Sequence, residues 1–188
     1  MPADWSRIAR RIRVPMGFVV AGLYIWLARP TFVSMAWSLV LVLPGLWLRG
    51  YAAGYVKKNA EITMTGPYAY TRNPLYLGSM LIAFGFAAAS KSIVIVLLLG
   101  VLFAVIYIPV IRSEEAFLRS KFADFDAYAA SVPRLVPRVR AARVEEISPD
   151  SEPGSFSFPL YRKHREYNAL MGATAIYAVL ALRIIFKH

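Results

Sequence analysis

The sequence predicts an all-α, polytopic membrane protein. Three observations carry that prediction. Of the 188 residues, 58% are hydrophobic, with a mean hydropathy of +0.50. The apolar residues come in solid blocks rather than amphipathic periods, and the basic residues collect between alternate blocks. A soluble domain of this length sits nearer half apolar and shows periodic faces instead.

Five apolar spans can be drawn, at residues 14–28, 31–48, 75–89, 92–111 and 168–186. At the helical rise they reach about 22–30 Å, enough for a hydrocarbon core if some ends snorkel or the bilayer thins. The opening "WSRIARRIRVPMGFVVAGLYIWLA" has the basic and apolar regions of a signal peptide. No small-residue cleavage site leads into a soluble region and the next span follows almost at once, so it reads as an uncleaved first helix. Pro44-Gly45 predicts a kink in the second span, and Gly50 with Gly54 makes a small-xxx-small pair at its end. Only "SKS", Ser90 to Ser92, separates spans three and four, which requires a tight antiparallel hairpin. Pro109 should bend span four just before Arg112.

Beyond Arg112 the chain turns polar, in "RSEEAFLRSKFADFDAYAASVPRLVPR". Phe117, Leu118, Phe122, Phe125 and Tyr128 fall at helical spacings, predicting a surface helix with its aromatic face toward the membrane. The prolines of "VPRLVPR" forbid helix throughout that stretch. Residues 139–166 read as a loop, richest in Ser, Pro and acid over about 144–158, before the last span. The whole chain, 1–188, reads as one membrane domain.

Net charge is +11, and its distribution explains it. Of the 22 Lys and Arg residues, only Arg29, Lys91, Arg183 and Lys187 lie off one side, the side holding the N-terminus and the loops after spans two and four. The positive-inside rule puts that side in the cytoplasm and the C-terminus outside. The excess is a topology signal, and no nucleic-acid partner is expected. The absence of cysteine removes disulfides, thiolate metal sites and a Cys nucleophile. With His164 and His188 the only histidines, no metal centre is expected. His164, in "YRKHREY", and the four tryptophans read as interfacial anchors or packing. There is no G-x-G, hence no dinucleotide-binding loop.

Chemistry must then come from the inner ends of spans three and four. The stretch "GPYAYTRNPLYLG", Gly66 to Gly78, places three tyrosines, two prolines and an arginine before span three. A short hairpin would bring Arg72, Asn73 and Tyr76 alongside Arg112, Glu114 and Glu115. The prolines stiffen the entry to the helix, and Gly66 and Gly78 admit close backbone approach. Each charge taken singly fits an ion-pair belt at helix ends. Adjacent acids beside a rigid Pro-Tyr turn exceed what anchoring requires.

These segments, in this order, resemble the membrane-embedded isoprenylcysteine carboxyl methyltransferase and phospholipid methyltransferase family. That family's pattern runs Gly-Pro-Tyr, Arg-His-Pro-x-Tyr-x-Gly, Glu-Glu, then Tyr and Val-Pro-Arg, and the likeness covers about residues 47–138. Asn73 stands where the family usually has His, a variant of bacterial members resembling the phospholipid branch. The resemblance implies a cytosolic-face pocket for S-adenosylmethionine, with a lipid or lipidated acceptor entering from the bilayer, and a catalytic core at 66–138. It assigns Tyr68, Arg72, Asn73, Pro74, Tyr76 and Gly78 to one cofactor wall and Arg112, Glu114 and Glu115 to a second. Tyr128, Pro133 and Arg134 form the closing segment. Arg72, Glu114 and Arg134 are the expected catalytic residues, and a bacterial inner membrane is the expected location.

The residue chemistry agrees with those roles. A carboxylate such as Glu115 accepts bonds from a ribose diol or an ammonium, and arginine pairs a carboxylate bidentately. Aromatic faces attract a sulfonium. Methyl transfer asks chiefly for alignment and exclusion of water. A carboxylate acceptor needs only a cation to place it, Arg134 or Arg72, whereas an amine must lose a proton to Glu114 or Glu115. Two other classes remain open on sequence alone: an NADPH-dependent reductase resembling membrane sterol reductases, and a non-catalytic protein that keeps the fold.

Overall fold

The computed structural model describes residues 3–56, 61–143 and 154–186. Among them there is no strand. Helix α1 (Ala3–Leu27) is followed by α2 (Phe32–Ala53), a 3₁₀ turn (Gly66–Ala69) and α3 (Pro74–Ser90). Then come α4 (Ile93–Leu102), a π-helical turn (Phe103–Tyr107), α5 (Ile108–Lys121) and α6 (Phe125–Ser131). A short α7 (Phe158–Lys163) precedes α8 (Tyr167–Ile185).

Among the described residues, three helical stretches are long and apolar enough to cross a membrane: Phe32–Ala53, Ile93–Lys121 and Tyr167–Ile185. They contain three of the five expected spans. The other two correspond to shorter apolar helices, Pro15–Leu27 and Pro74–Ser90. The exposed faces suit lipid. On α4 and the π turn, Val94, Leu97, Val101 and Val105 recur at helical spacing and are all exposed, and α2 does the same with Val33, Trp37 and Val40. In water such faces would be a liability; acyl chains cover them at no cost.

The chain divides into two compact units. The first comprises Met1–Val42, Ile82–Glu115 and Ala173–His188, the second Leu43–Leu81 and Ala116–Gly172. Helices α2, α3, α5 and α8 each contribute a part to both.

In the first unit small residues make the close contacts: Ala28, Ser38, Ala87, Ala89, Ser90 and Ala173 are all buried. Larger side chains such as Val42, Ile95, Ile111 and Leu180 are buried there too, and apolar helices in lipid also associate by close approach and by satisfying polar groups between them. Accordingly the Tyr24 hydroxyl donates to the Phe86 carbonyl (2.9 Å), Ser34 Oγ to the Ala89 carbonyl (2.9 Å), and Ser38 Oγ meets the Tyr177 hydroxyl at 2.6 Å. The ring of Phe86 lies between those of Tyr24 and Tyr177, at 6.3 and 5.0 Å. The hairpin is as tight as expected. Lys91 takes a left-handed conformation (φ 53°) between Ser90 and Ser92, and Ser90 Oγ accepts the Ser92 N–H at 3.1 Å.

Pro44 and Pro109, expected to kink and bend their spans, both lie within helix, in α2 and α5 respectively. Pro109 cannot donate to the Val105 carbonyl four residues back. Val105 lies inside the π-helical turn, whose wider spacing makes room for the proline ring.

The second unit is organised on Arg49, near the end of α2. Its Nε and Nη2 grip the Glu166 carboxylate in a bidentate pair at 3.0 and 2.9 Å, and its Nη1 donates to Ser79 Oγ. The Arg49 side chain is 24% exposed and that of Glu166 11%. This ion pair joins α2 and α3 to the residue before α8. Gly78 is required beside it, because a Cβ there would stand 2.6 Å from Arg49 Cγ and 2.8 Å from the Gly45 carbonyl. Gly50 faces the Tyr161 ring of α7, and Gly54 packs against Phe156, so the small-residue pair receives the chain leading into α8. His164 Nδ1 lies 3.1 Å from the Ala53 carbonyl; since a carbonyl only accepts, that nitrogen carries the proton and closes the C-terminal end of α2.

The expected aromatic surface helix is two helices. α5 ends at Lys121, and α6 starts at Phe125 after a turn at Ala123 and Asp124. The break redirects half of the stripe. Phe125 and Tyr128 are buried with Met64, Val132 and Ala142 in a core of the unit itself, while Phe117 stays 51% exposed. Apolar side chains here found a protein partner before a lipid one. Within the expected 139–166 loop, 158–163 is the helix α7; its most polar part, 144–153, lies outside the described residues.

Two substitutions test this packing. Glu166→Gln leaves Arg49 charged without its counterion and should lower stability by about 1–3 kcal/mol; Arg49→Met combined with Glu166→Leu should recover part of that loss in a thermal-unfolding series. Gly66→Ala should cost about 2 kcal/mol, from the left-handed backbone and the crowded Tyr55 ring described below, measured the same way.

Candidate active site

The motif turn starts from a constraint on one glycine. Gly66 has φ +58°, and a Cβ on it would stand 2.7 Å from the Tyr55 ring, so both conformation and space require glycine. Pro67 follows in the first turn of the 3₁₀ helix, where its fixed φ suits the geometry and no N–H is missed. The turn buries Pro67, Tyr68 and Ala69 and leaves Tyr70 exposed. Pro74 then opens α3, and the Asn73 carbonyl accepts its first bond, from Leu77 N–H at 3.0 Å.

Residues 69–73 are joined to 133–142 along their length. Ala142 N–H donates to the Ala69 carbonyl (2.9 Å) and Arg138 N–H to the Tyr70 carbonyl (3.0 Å). Arg72 N–H donates to the Pro133 carbonyl (2.9 Å), and Asn73 Nδ2 to the Arg134 carbonyl (3.0 Å). Buried Thr71 donates from Oγ1 to the Arg134 and Leu135 carbonyls at 3.2 and 3.1 Å. Below this seam the Tyr128 hydroxyl donates to the Tyr68 carbonyl at 2.8 Å, and Arg72 Nη1 reaches the Ala129 carbonyl at 3.3 Å. Neither segment is regular strand or helix, so their backbone groups need such partners when buried.

The second unit thus brings together Tyr68, Arg72, Asn73, Pro74, Tyr128, Pro133 and Arg134, from two stretches about sixty residues apart. Arg72, Asn73 and Tyr76 are half-buried, Pro74 and Gly78 buried, and Arg134 exposed. Arg112, Glu114 and Glu115 belong to α5 in the first unit. There the two adjacent acids are not equivalent. Successive helical residues point about 100° apart, which puts Glu115 on the buried face with Ile111 and leaves Glu114 and Arg112 exposed. Glu115 is 5% exposed, a position where a carboxylate must be held by partners.

Sequence reasoning missed Thr71, Arg49 and Glu166. Thr71 lay within the motif but lacks a charge. Arg49 and Glu166 did carry a signal: Arg49 is a lone charge at the end of an apolar span, and Glu166 is the one acid in the basic run before the last span. The aromatic cluster beside Gly66 was also unforeseen. Tyr51 stacks between Trp47 (5.2 Å) and Phe156 (5.9 Å), and its hydroxyl lies 3.0 Å from that of Tyr55. That hydrogen bond, with partial desolvation, holds the Tyr55 phenol above its ordinary range.

Comparison with known proteins gives the arrangement a family. The nickel-cobalt-cadmium resistance protein NccN of Alcaligenes xylosoxydans xylosoxydans is 38% identical over 100 residues, 53% of this chain and 46% of that protein. The cobalt-zinc-cadmium resistance protein CzcN of Cupriavidus metallidurans is 37% identical over 100 residues, 53% of this chain and 45% of that protein. The matched stretch therefore spans a little under half the length of these curated relatives. No solved structure matches the chain. The family profile described as phospholipid methyltransferase matches residues 19–124, from within α1 to the turn before α6. That match covers more than half of the protein and takes in the Gly-Pro-Tyr turn, the start of α3 and the Glu pair: the chain belongs to the phospholipid methyltransferase family.

Proposed function

We propose that this protein is an integral membrane methyltransferase that moves a methyl group from S-adenosylmethionine to a lipid or lipidated acceptor. The observation that carries the reading is the seam between 69–73 and 133–142. It holds Arg72, Asn73 and Arg134 together in the second unit, through the backbone bond from Arg72 N–H to the Pro133 carbonyl and the side-chain bonds of Asn73 Nδ2 and Thr71 Oγ1 to the Arg134 carbonyl.

The residues suit the cofactor. Arg72, half-buried and fixed at its backbone, offers guanidinium donors to a carboxylate. Tyr76, half-buried on the first turn of α3, offers a ring face to a sulfonium. Glu115, assigned by the resemblance to the same cofactor, is the buried acid that suits a ribose diol or an ammonium. When bound, S-adenosylmethionine supplies an already activated methyl group. The chain's own work is positioning: Arg72 and Asn73 hold one wall, Arg134 places an anionic acceptor, and Glu114, exposed to solvent, takes a proton from an amine acceptor. Asn73 in place of the family's usual histidine favours a phospholipid or other small lipid acceptor over a prenylcysteine. The active-site side is the basic side of the chain and faces the cytosol of a bacterial inner membrane.

The relatives' names concern resistance to nickel, cobalt, zinc and cadmium. Among the described residues of this chain no group of three or more His, Cys, Asp or Glu is placed to hold a metal ion. On the methyltransferase reading, a part in such resistance would run through modification of a membrane component.

Incubation of the purified protein with methyl-labelled S-adenosylmethionine and a total lipid extract should label one lipid class. No labelled lipid from correctly folded protein would set the proposal aside. Glu115→Gln should weaken cofactor binding at least tenfold by calorimetry while the protein still elutes as folded membrane protein. NADPH should produce no binding heat under the same conditions.

A further inference from the structure

A second charged locus lies in the first unit, at the ends of the helices where the sequence is otherwise apolar. Trp26 and Leu27 at the end of α1, Arg29 just beyond it and Arg183 in the last turn of α8 line a cavity of about 440 Å³. Arg29 is exposed, Arg183 half-buried and Trp26 74% exposed. The Arg29 N–H donates to the Ser90 carbonyl at 2.9 Å, which brings the hairpin turn and its exposed Lys91 to the same locus.

What this locus lacks is an acid. There is no Asp or Glu between residues 5 and 60, 62 and 113, or 167 and 188, the stretches that supply all of these helix ends. Two guanidinium groups lining one cavity repel each other, and these stretches carry no Asp or Glu side chain to offset that repulsion. Arg183 Nη2 donates to the Trp26 carbonyl at 3.1 Å, which engages one of five N–H donors and orients the planar group beside the cavity. Arg29, Lys91 and Arg183 are also three of the four cations that do not follow the basic side of the chain, so the topology signal does not account for them.

We propose that this cavity binds the phosphodiester of a membrane phospholipid, with Arg29 and Arg183 pairing the phosphate oxygens. Arginine suits this ligand because its fork matches two oxygens at once. The position suits a lipid as the source, since a helix end beside an exposed tryptophan is where headgroups lie. Two cations and no acid favour a headgroup of net negative charge. This site stands apart from the methyl-transfer reading and does not depend on it.

Native mass spectrometry of the full-length protein, freed of lipid in detergent and titrated with phosphatidylglycerol, phosphatidylcholine or inorganic phosphate, tests the assignment. The protein should retain one phosphatidylglycerol in preference to phosphatidylcholine, and millimolar inorganic phosphate should not displace it. Arg29→Gln with Arg183→Gln should weaken that binding about tenfold or more, and Arg29→Lys with Arg183→Lys, which keeps the charge but not the fork, should recover only part of it. Arg29→Gln alone guards against misfolding, because the bond to Ser90 is made by the backbone; it should weaken binding several-fold. Equal retention by the double glutamine variant would overturn the site, and displacement by inorganic phosphate would overturn the lipid as its ligand.

Discussion

Arg72 N–H reaches the Pro133 carbonyl and Asn73 Nδ2 the Arg134 carbonyl, each across about sixty residues of chain. The site-bearing unit depends on this exchange between two irregular segments. Neither can satisfy its own backbone, because prolines at 67, 74, 133 and 137 prevent either from forming an extended helix. Each therefore becomes the partner of the other. The same prolines that look like breakers in the sequence create the demand that the seam fills.

Around that seam, rigidity is built from different materials on each side. Met64, Phe125, Tyr128, Val132 and Ala142 pack beneath it as an ordinary hydrophobic core. Beside it, Arg49 and Glu166 form a charged clamp, bidentate and partly buried, which reaches α3 through Ser79. A clamp of this kind adds little net stability over an apolar contact but strongly penalises loss of one member. Through Ser79 and the close approach at Gly78 it fixes the start of α3, where Pro74 and Tyr76 lie. The first unit relies instead on small residues and on hydroxyls donating to carbonyls, the means available where lipid surrounds the helices and no water competes.

The acidic pair shows how much a single residue of register matters. Glu114 and Glu115 are indistinguishable as letters, and a resemblance carries both. The helical turn separates them, burying Glu115 and exposing Glu114. Their surroundings differ accordingly: one carboxylate is shielded from water and the other meets it.

Hydrophobic blocks, prolines, the three-residue hairpin turn and the order of the motifs were legible in the sequence, because each is a local property. Block length sets a span, a missing N–H sets a helix start, and Ser90 to Ser92 leaves room for nothing but a tight turn. The family itself could be read there too, from Gly-Pro-Tyr through the Glu pair to Val-Pro-Arg. Only the tertiary structure decided that Phe125 and Tyr128 face a protein core rather than the membrane, that Thr71 fastens the seam, and that Arg49 pairs with Glu166. Those outcomes depend on which distant segment packs against a given surface. Periodicity states that a side chain will be buried, but the packing of the folded chain chooses what buries it.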